Sequence, residues 1–443
     1  MTIRARFTAP VVLPCDAECS VLRDAAVDVD EHGRIVHVGP AADVPRAPLD
    51  AARVELTGIL LPGLINTHAH SPMTLLRGAG GDLPLMRWLQ DVVWPAEGRL
   101  RAADVDAGMR LGCLEMLRAG VTTSVEMYFY GDRIVQAVLA AGSRVVLTPG
   151  IIAVPGWDRL GSWQSMLAGI SDWIDADGLR FGPGERIELG YGPHAAYTLP
   201  PEALVASAQA ARERSALVHI HVAESAGEDA ELRAGYGSVP LMLEKLGVLG
   251  GRVLAAHCVQ LSDADIDVLA GHDVAVAHCP GSNAKLASGI APVLALRAAG
   301  VRVGLGTDGP ASNDDLDLWE EMRLAALLAR LSAGDAAALT ARDALLMATS
   351  GGAAALGRDD LGVLRPGAWA DLVHVDADDP AFVAGASTPD GQLLANLVWA
   401  AGSRTVRDVW VAGERVLAGG QPTRLDLAKV RAQAAAACAH LLT

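Results

Sequence analysis

Basic charge is scarce in this sequence. Its 443 residues include 36 Lys or Arg against 52 Asp or Glu, a formal net charge of −16. No basic cluster interrupts that balance, so nucleic acid and anionic membrane surfaces are poor partners. Cysteine is also sparse. The six thiols (Cys15, Cys19, Cys113, Cys258, Cys279 and Cys438) show no zinc-ribbon spacing. In a chain of this length they read as reduced, mostly buried thiols of a cytoplasmic protein. Long apolar runs are missing too. The longest weakly charged stretch, Gly58 to Leu76, holds Pro, Asn and two His, which rules it out as a membrane span. The opening "MTIRARFTAPVVLP" has neither the apolar segment nor the small-residue cleavage site of a signal peptide, which also points to the cytoplasm.

What is present is ample apolar material: 51% of residues are hydrophobic, enough for a large core. The first 56 or so residues have a short β-like pattern, and "AAVDVDEHGRIVHVG" suggests a hairpin around a His-Gly turn. Then apolar runs alternate with Ala/Leu-rich helical stretches. The runs are "GLINTH", "VTTSVEM", "RVVLTPG", "IELGYGPH", "ALVHIHVAE", "VLAAHCV", "VAVAHCP" and "VRVGLGTDG". Strands and helices alternating in this way predict an α/β fold, a (β/α)8 TIM-type barrel. β patterns return in "ADLVHVDAD" and "VRDVWVAGERVLAGG", before an Ala-rich C-terminal helix. The expected organisation is a barrel over residues 60–358 beside a small β-sandwich built from both termini, 1–59 and 359–443.

In a barrel the C-terminal strand ends form the reactive face. His68 and His70 of "NTHAH" sit at such an end, and residues two apart on a strand point the same way. A lone His-x-His is as readily a pair of ordinary strand-end residues. Its company shifts the balance. His219 and His221 share a face in "ALVHIHVAES", with Glu224 three residues on; His257 ends the sixth run and Asp308 follows the eighth. Imidazole and carboxylate suit a zinc-like divalent ion. His68, His70, His221 and Asp308 form the expected ligand set. His219 lies two residues deeper, toward the barrel core. One ion is expected: two-metal barrel hydrolases often bridge their ions with a carboxylated lysine on the fourth strand, and Lys245, Lys285 and Lys429 all lie outside "IELGYGPH". The stretch "GLGTDG" fits the dinucleotide fingerprint G-x-G-x-x-G, but it lies near the end of a barrel pattern instead of after a first strand.

Several stretches together resemble the amidohydrolase superfamily, within it the branch of methylthioadenosine/S-adenosylhomocysteine deaminases and their triazine-hydrolase relatives. They are "PGLINTHAHSPMTLLRG", "DLPLMRWLQDVVWPAEGRL", "GPHAAYT", "HIHVAES", "AAHCVQL", "HCPGSNAKLASGIAPV" and "LGTDGPASNDDLDLWEEMR". "WPAEGRL" and "SNAKLASG" point to the deaminase branch. The resemblance implies hydrolysis of a C–N bond in a cyclic amidine: water, made acidic by the ion, attacks C6 of adenine and ammonia leaves. It implies Glu224 as the proton shuttle, His257 as a partner of the nucleophile or a further ligand, and Asp308 as both ligand and proton acceptor. Zinc is the expected ion, with ferrous iron the alternative.

The same resemblance places Glu97 and His194 near the nucleoside sugar, with Trp88 and Arg159 as further substrate contacts. On sequence alone a solvated helix residue is the commoner fate for a Glu such as Glu97. Ser282 and Asn283 are expected to shape the loop after the seventh strand. Relatives that use S-adenosylhomocysteine are expected to grip its carboxylate with basic residues after the third strand. There "VVLTPGIIAVPGWDRLGSW" offers only Arg159, with Trp157 and Trp163, which favours an apolar 5′-group. The expected partner is a small nucleoside-like substrate, and by resemblance a homo-oligomer. The same attack on a ring carbon also serves triazine, guanine or pterin substrates, and a non-catalytic barrel is the remaining alternative.

Overall fold

The computed structural model of the chain describes residues 2–44, 48–49, 51–83, 85–154 and 157–442. Eight parallel strands follow one another in sequence order around a ring. They are Leu64–Ala69, Val121–Glu126, Arg144–Leu147, Ile187–Pro193, Leu217–Val222, Arg252–His257, Ala275–His278 and Val303–Leu305. Every run singled out in the sequence supplies one. The ring closes between the eighth strand and the first: Ala69 bridges Asp308, and the Asp308 amide donates to the His68 carbonyl at 3.0 Å. Gly306 permits that approach, because a Cβ there would lie 2.8 Å from the His68 Cβ.

Strands covered on both faces need continuous apolar or satisfied polar residues. "LVHIHV" is buried at all six positions, its two histidines included. Helices cover the outside; Ala102–Arg118, for example, turns Val105, Met109, Leu114 and Leu117 inward. Among the described residues no helix is long and apolar enough to cross a membrane.

The termini combine into one nine-stranded sheet. Leu22–Asp30 and Ile35–Pro40 form the expected antiparallel hairpin. Gly33 makes its turn at φ +81, where a side chain would also strike the Ala412 carbonyl. Ile59–Pro62 pairs with Leu372–Val375 and so ties the two ends of the chain together. The sheet curls on itself: Phe7 and Trp410, from strands three apart, meet edge to face at 5.1 Å. The sandwich expected from sequence thus takes the form of a single curled sheet.

Only Gly63 separates that sheet from the first barrel strand. A buried ion pair locks the junction. Asp371 receives Arg144 Nε at 2.9 Å and Nη2 at 3.1 Å, and also accepts from the Ala412 amide. Removing one partner would strand the other charge out of water. We expect Asp371→Ala to cost about 3–5 kcal/mol in chemical denaturation. A loss within error of zero would show that the pair does not hold the sheet to the barrel.

Candidate metal centre

The strand ends bring His68, His70, His221, His257 and Asp308 together. One ligand atom from each of His68, His221, His257 and Asp308 lies within 4.8 Å of all the others. His70 Nε2 joins them, 3.3 Å from His221 Nε2 and 3.2 Å from Asp308 Oδ1. His257 and Asp308 hold left-handed backbone, at φ 70 and 61. Such conformations cost about 1–3 kcal/mol each in non-glycine residues and collect at functional sites.

Each imidazole is held from behind through Nδ1. His70 Nδ1 donates to the Met127 carbonyl at 2.6 Å, and His221 Nδ1 to the His194 carbonyl at 2.7 Å. A carbonyl only accepts, so both rings carry a proton on Nδ1 and turn Nε2 toward the centre. His257 Nδ1 sits 2.9 Å from Asn283 Oδ1. Behind His68 the chain is longer. Thr148 Oγ1 donates to the Glu126 carbonyl and accepts from His219 Nδ1 at 3.0 Å, leaving His219 Nε2 to accept from His68 Nδ1 at 2.8 Å. His68 Nε2 is buried without any hydrogen-bond partner. An imidazole lone pair with nothing to bond, beside three more imidazole nitrogens and a carboxylate oxygen, fits a divalent cation.

The electrostatics keep His68, His219 and His221 neutral and single out His70. Burial pushes His68 down to about 3, and holds His219 and His221 well below the usual imidazole range. Burial also opposes charge on His70, but the Asp308 hydrogen bond and charge outweigh it and lift that ring to about 9. Burial works against an ionised Asp308 as well; the neighbouring His68 and His70 rings reverse this and keep the carboxylate far below its ordinary range. Asp308 Oδ2 accepts from Ser282 Oγ at 2.6 Å and Ser312 Oγ at 2.7 Å, which leaves Oδ1 turned to the histidines.

A pocket opens over the cluster, lined by Trp88, Glu97, His194 and Glu224 among others. Glu224 is buried, 3.9 Å from His257 Nε2, and burial raises its carboxyl. Glu97 is only 4% exposed, not a solvated helix residue. It accepts from the Tyr128 hydroxyl at 2.7 Å, and burial lifts it to about 7. His194 packs against His221 at 4.6 Å. Arg159 is elsewhere: its guanidinium donates to the carbonyls of Leu100 and Glu97 and to the Tyr130 hydroxyl, on the wall of a neighbouring cavity. Trp157 lines the pocket, whereas Trp163 begins the helix Trp163–Asp177 outside it.

Glu126 and Tyr128 are among the residues that escaped the sequence reading, as are Thr148 and Ser312. Glu126 ends the second strand; its Oε1 accepts from the Ser71 amide, next to His70, at 2.6 Å, and burial raises it to about 7. The strand-end rule applied to "VTTSVEM" would have found it. Tyr128, which holds Glu97, has no such signal.

A parallel barrel with imidazoles and a carboxylate at its strand ends defines a class of metal-binding barrel hydrolases. Residues 59–416 match the model of the amidohydrolase family, and the chain belongs to that family. It is similar to a 5-methylthioadenosine/S-adenosylhomocysteine deaminase of Pelotomaculum thermopropionicum, 44% identical over 96% of this chain and 95% of the relative. It is 42% identical to a 5'-deoxyadenosine deaminase of Methanothermobacter thermautotrophicus, over 86% of this chain and 87% of the other. Among solved structures it is similar to an adenosine deaminase from Xanthomonas campestris with bound zinc, with a TM-score of 0.90 and 37% identity, covering 100% of this chain and 99% of that one.

If His219 sets the orientation and tautomer of His68, replacing it should weaken metal binding without emptying the core. We expect His219→Phe, which keeps the ring and removes both nitrogens, to lower zinc affinity about 10–100-fold in chelator competition. Unchanged affinity in a folded variant would remove His219 from the account.

Proposed function

We propose that the protein is a metal-dependent aminohydrolase that converts an adenosine derivative and water to the corresponding inosine and ammonia. One observation carries this reading: four imidazole Nε2 atoms and Asp308 Oδ1 converge beside the buried Glu224, under a pocket that also holds Glu97. In this reading His68, His70, His221 and Asp308 hold one divalent ion, with zinc the assignment, and His257 stands within reach of it. When bound, the ion makes a water acidic enough to react near neutral pH.

The chain's own groups do the rest. Glu224 takes a proton from the attacking water and delivers it to the ring nitrogen beside the reacting carbon. A carboxyl raised by burial suits that exchange better than a solvated one. Asp308, kept ionised by its surroundings, takes the second proton of the water, which leaves with the amino group as ammonia. His257 hydrogen-bonds the oxygen as charge develops on it. Glu97 accepts from ribose hydroxyls, with His194 beside it and Trp88 on the wall. Arg159 enters as the residue that secures the Glu97 backbone. The division at residues 59 and 359, residence in the cytoplasm and a homo-oligomeric assembly belong to the same proposal.

Glu224→Gln keeps the shape and removes the transferable proton. We expect it to bind zinc normally and to lose about 100- to 10,000-fold in kcat, read as ammonia released with the shift from the adenine to the hypoxanthine spectrum. Undiminished turnover in the zinc-loaded variant would sink the assignment of Glu224.

A further inference from the structure

The stretch "LGTDGPASNDDLDLWEEMR" runs into the helix Leu318–Ala333, which supplies no residue to the pocket. Yet one of its acids, Glu321, is fully buried. Glu321 Oε2 accepts from the Gly281 amide at 2.9 Å, and Oε1 accepts from Asn313 Nδ2, also at 2.9 Å. Gly281 lies in the first turn of the helix Pro280–Lys285, whose N-cap residue, Cys279, makes no side-chain cap. A helix start leaves amides without partners, and here a carboxyl from another helix takes one of them. Asn313 follows the eighth strand, and its Nδ2 also donates to the Thr307 carbonyl at 2.9 Å. The fit is close: a Cβ on Gly281 would lie 2.3 Å from Glu321 Oε1 and 2.4 Å from Asn313 Oδ1.

We infer that Glu321 is a positioning residue of the metal centre: it holds the segment after the seventh strand to the segment after the eighth, so that Ser282 meets Asp308 and Asn283 meets His257. Ser282 Oγ donates to Asp308 Oδ2 at 2.6 Å, and Asn283 Oδ1 sits 2.9 Å from His257 Nδ1. Both residues follow Gly281 directly, so a shift of the helix start would move the two contacts together. The inference rests on the metal reading of the strand ends. Two observations favour it over a packing role. A buried carboxyl is a costly filler: burial raises Glu321 to about 8, and a methionine would occupy similar space without that penalty. The other tie on this short helix, from Lys285 Nζ to Asp314 and the Ala311 carbonyl, is partly exposed, where ion pairs hold little.

The test measures zinc affinity of the full chain by chelator competition, on two backgrounds. In the otherwise wild-type protein Glu321→Met, which fills the space and removes both acceptors, should weaken zinc binding about 10- to 100-fold, the range in which supports of metal ligands act. The deciding comparison repeats the substitution on Ser282→Ala/Asn283→Ala, where both contacts are already cut. There Glu321→Met should change zinc affinity by less than about twofold, because groups acting through one chain of contacts do not add. A role in packing alone predicts the same effect on both backgrounds. An equal loss on both, or no loss on the first, would therefore overturn the inference. Should Glu321→Met fail to fold, Gly281→Ala, which forces the same link apart, replaces it in both comparisons. Wild-type protein that binds zinc but releases no ammonia from adenosine derivatives would remove the deaminase reading, and the zinc comparison would still decide the role of Glu321. Wild-type protein that binds no zinc would overturn the metal reading and the inference with it.

Discussion

Four imidazole nitrogens aimed at one point stay aimed only if each ring is held from behind. That constraint organises the site. An imidazole can present Nε2 or Nδ1, and its tautomer follows whichever nitrogen finds an acceptor. Here Met127 and His194 supply carbonyls, Asn283 a side-chain oxygen, and His219 with Thr148 a relay, all at the Nδ1 side. The barrel is what makes these acceptors available. Met127 follows the second strand, Thr148 the third and His194 the fourth, so each strand end serves the ring on a different strand.

The carboxylate is fixed by the same logic. Two serine hydroxyls, Ser282 in the short helix Pro280–Lys285 that replaces the loop expected after the seventh strand and Ser312 in the turn after the eighth, occupy Asp308 Oδ2 and turn Oδ1 inward. Its backbone amide closes the barrel against the His68 carbonyl. Ring closure and ligand placement are therefore one set of bonds. The terminal sheet contributes at a distance: it runs into the first barrel strand through one glycine, and the Arg144–Asp371 pair anchors that junction.

Much of this could be read from the sequence. Barrel strands buried on both faces must be short apolar runs, and all eight stood out for that reason. His68, His70, His221, His257 and Asp308 stood out because polar residues at the ends of such runs have few structural reasons to be there. The sandwich was less legible. Strand patterns give no partner, so nothing in "ADLVHVDAD" says that Leu372–Val375 joins Ile59–Pro62 in a single curled sheet. Supporting residues were harder still. His219 was visible only as a deeper histidine, because the distinction between a ligand and a ligand's support lies in which nitrogen faces where. Arg159 has the right charge in the right loop, yet three backbone and phenol acceptors claim it, and long-range contacts of that kind leave no periodicity.

The central claim is that His68, His70 and His221 Nε2 and Asp308 Oδ1 hold one ion. Anomalous diffraction at the zinc edge, from crystals of the zinc-loaded protein, tests it most directly. The account predicts a single strong peak about 2.0–2.2 Å from His68, His70 and His221 Nε2 and from Asp308 Oδ1. A peak bonded through Nδ1 of any of these rings, or zinc sited away from the strand ends altogether, would contradict it.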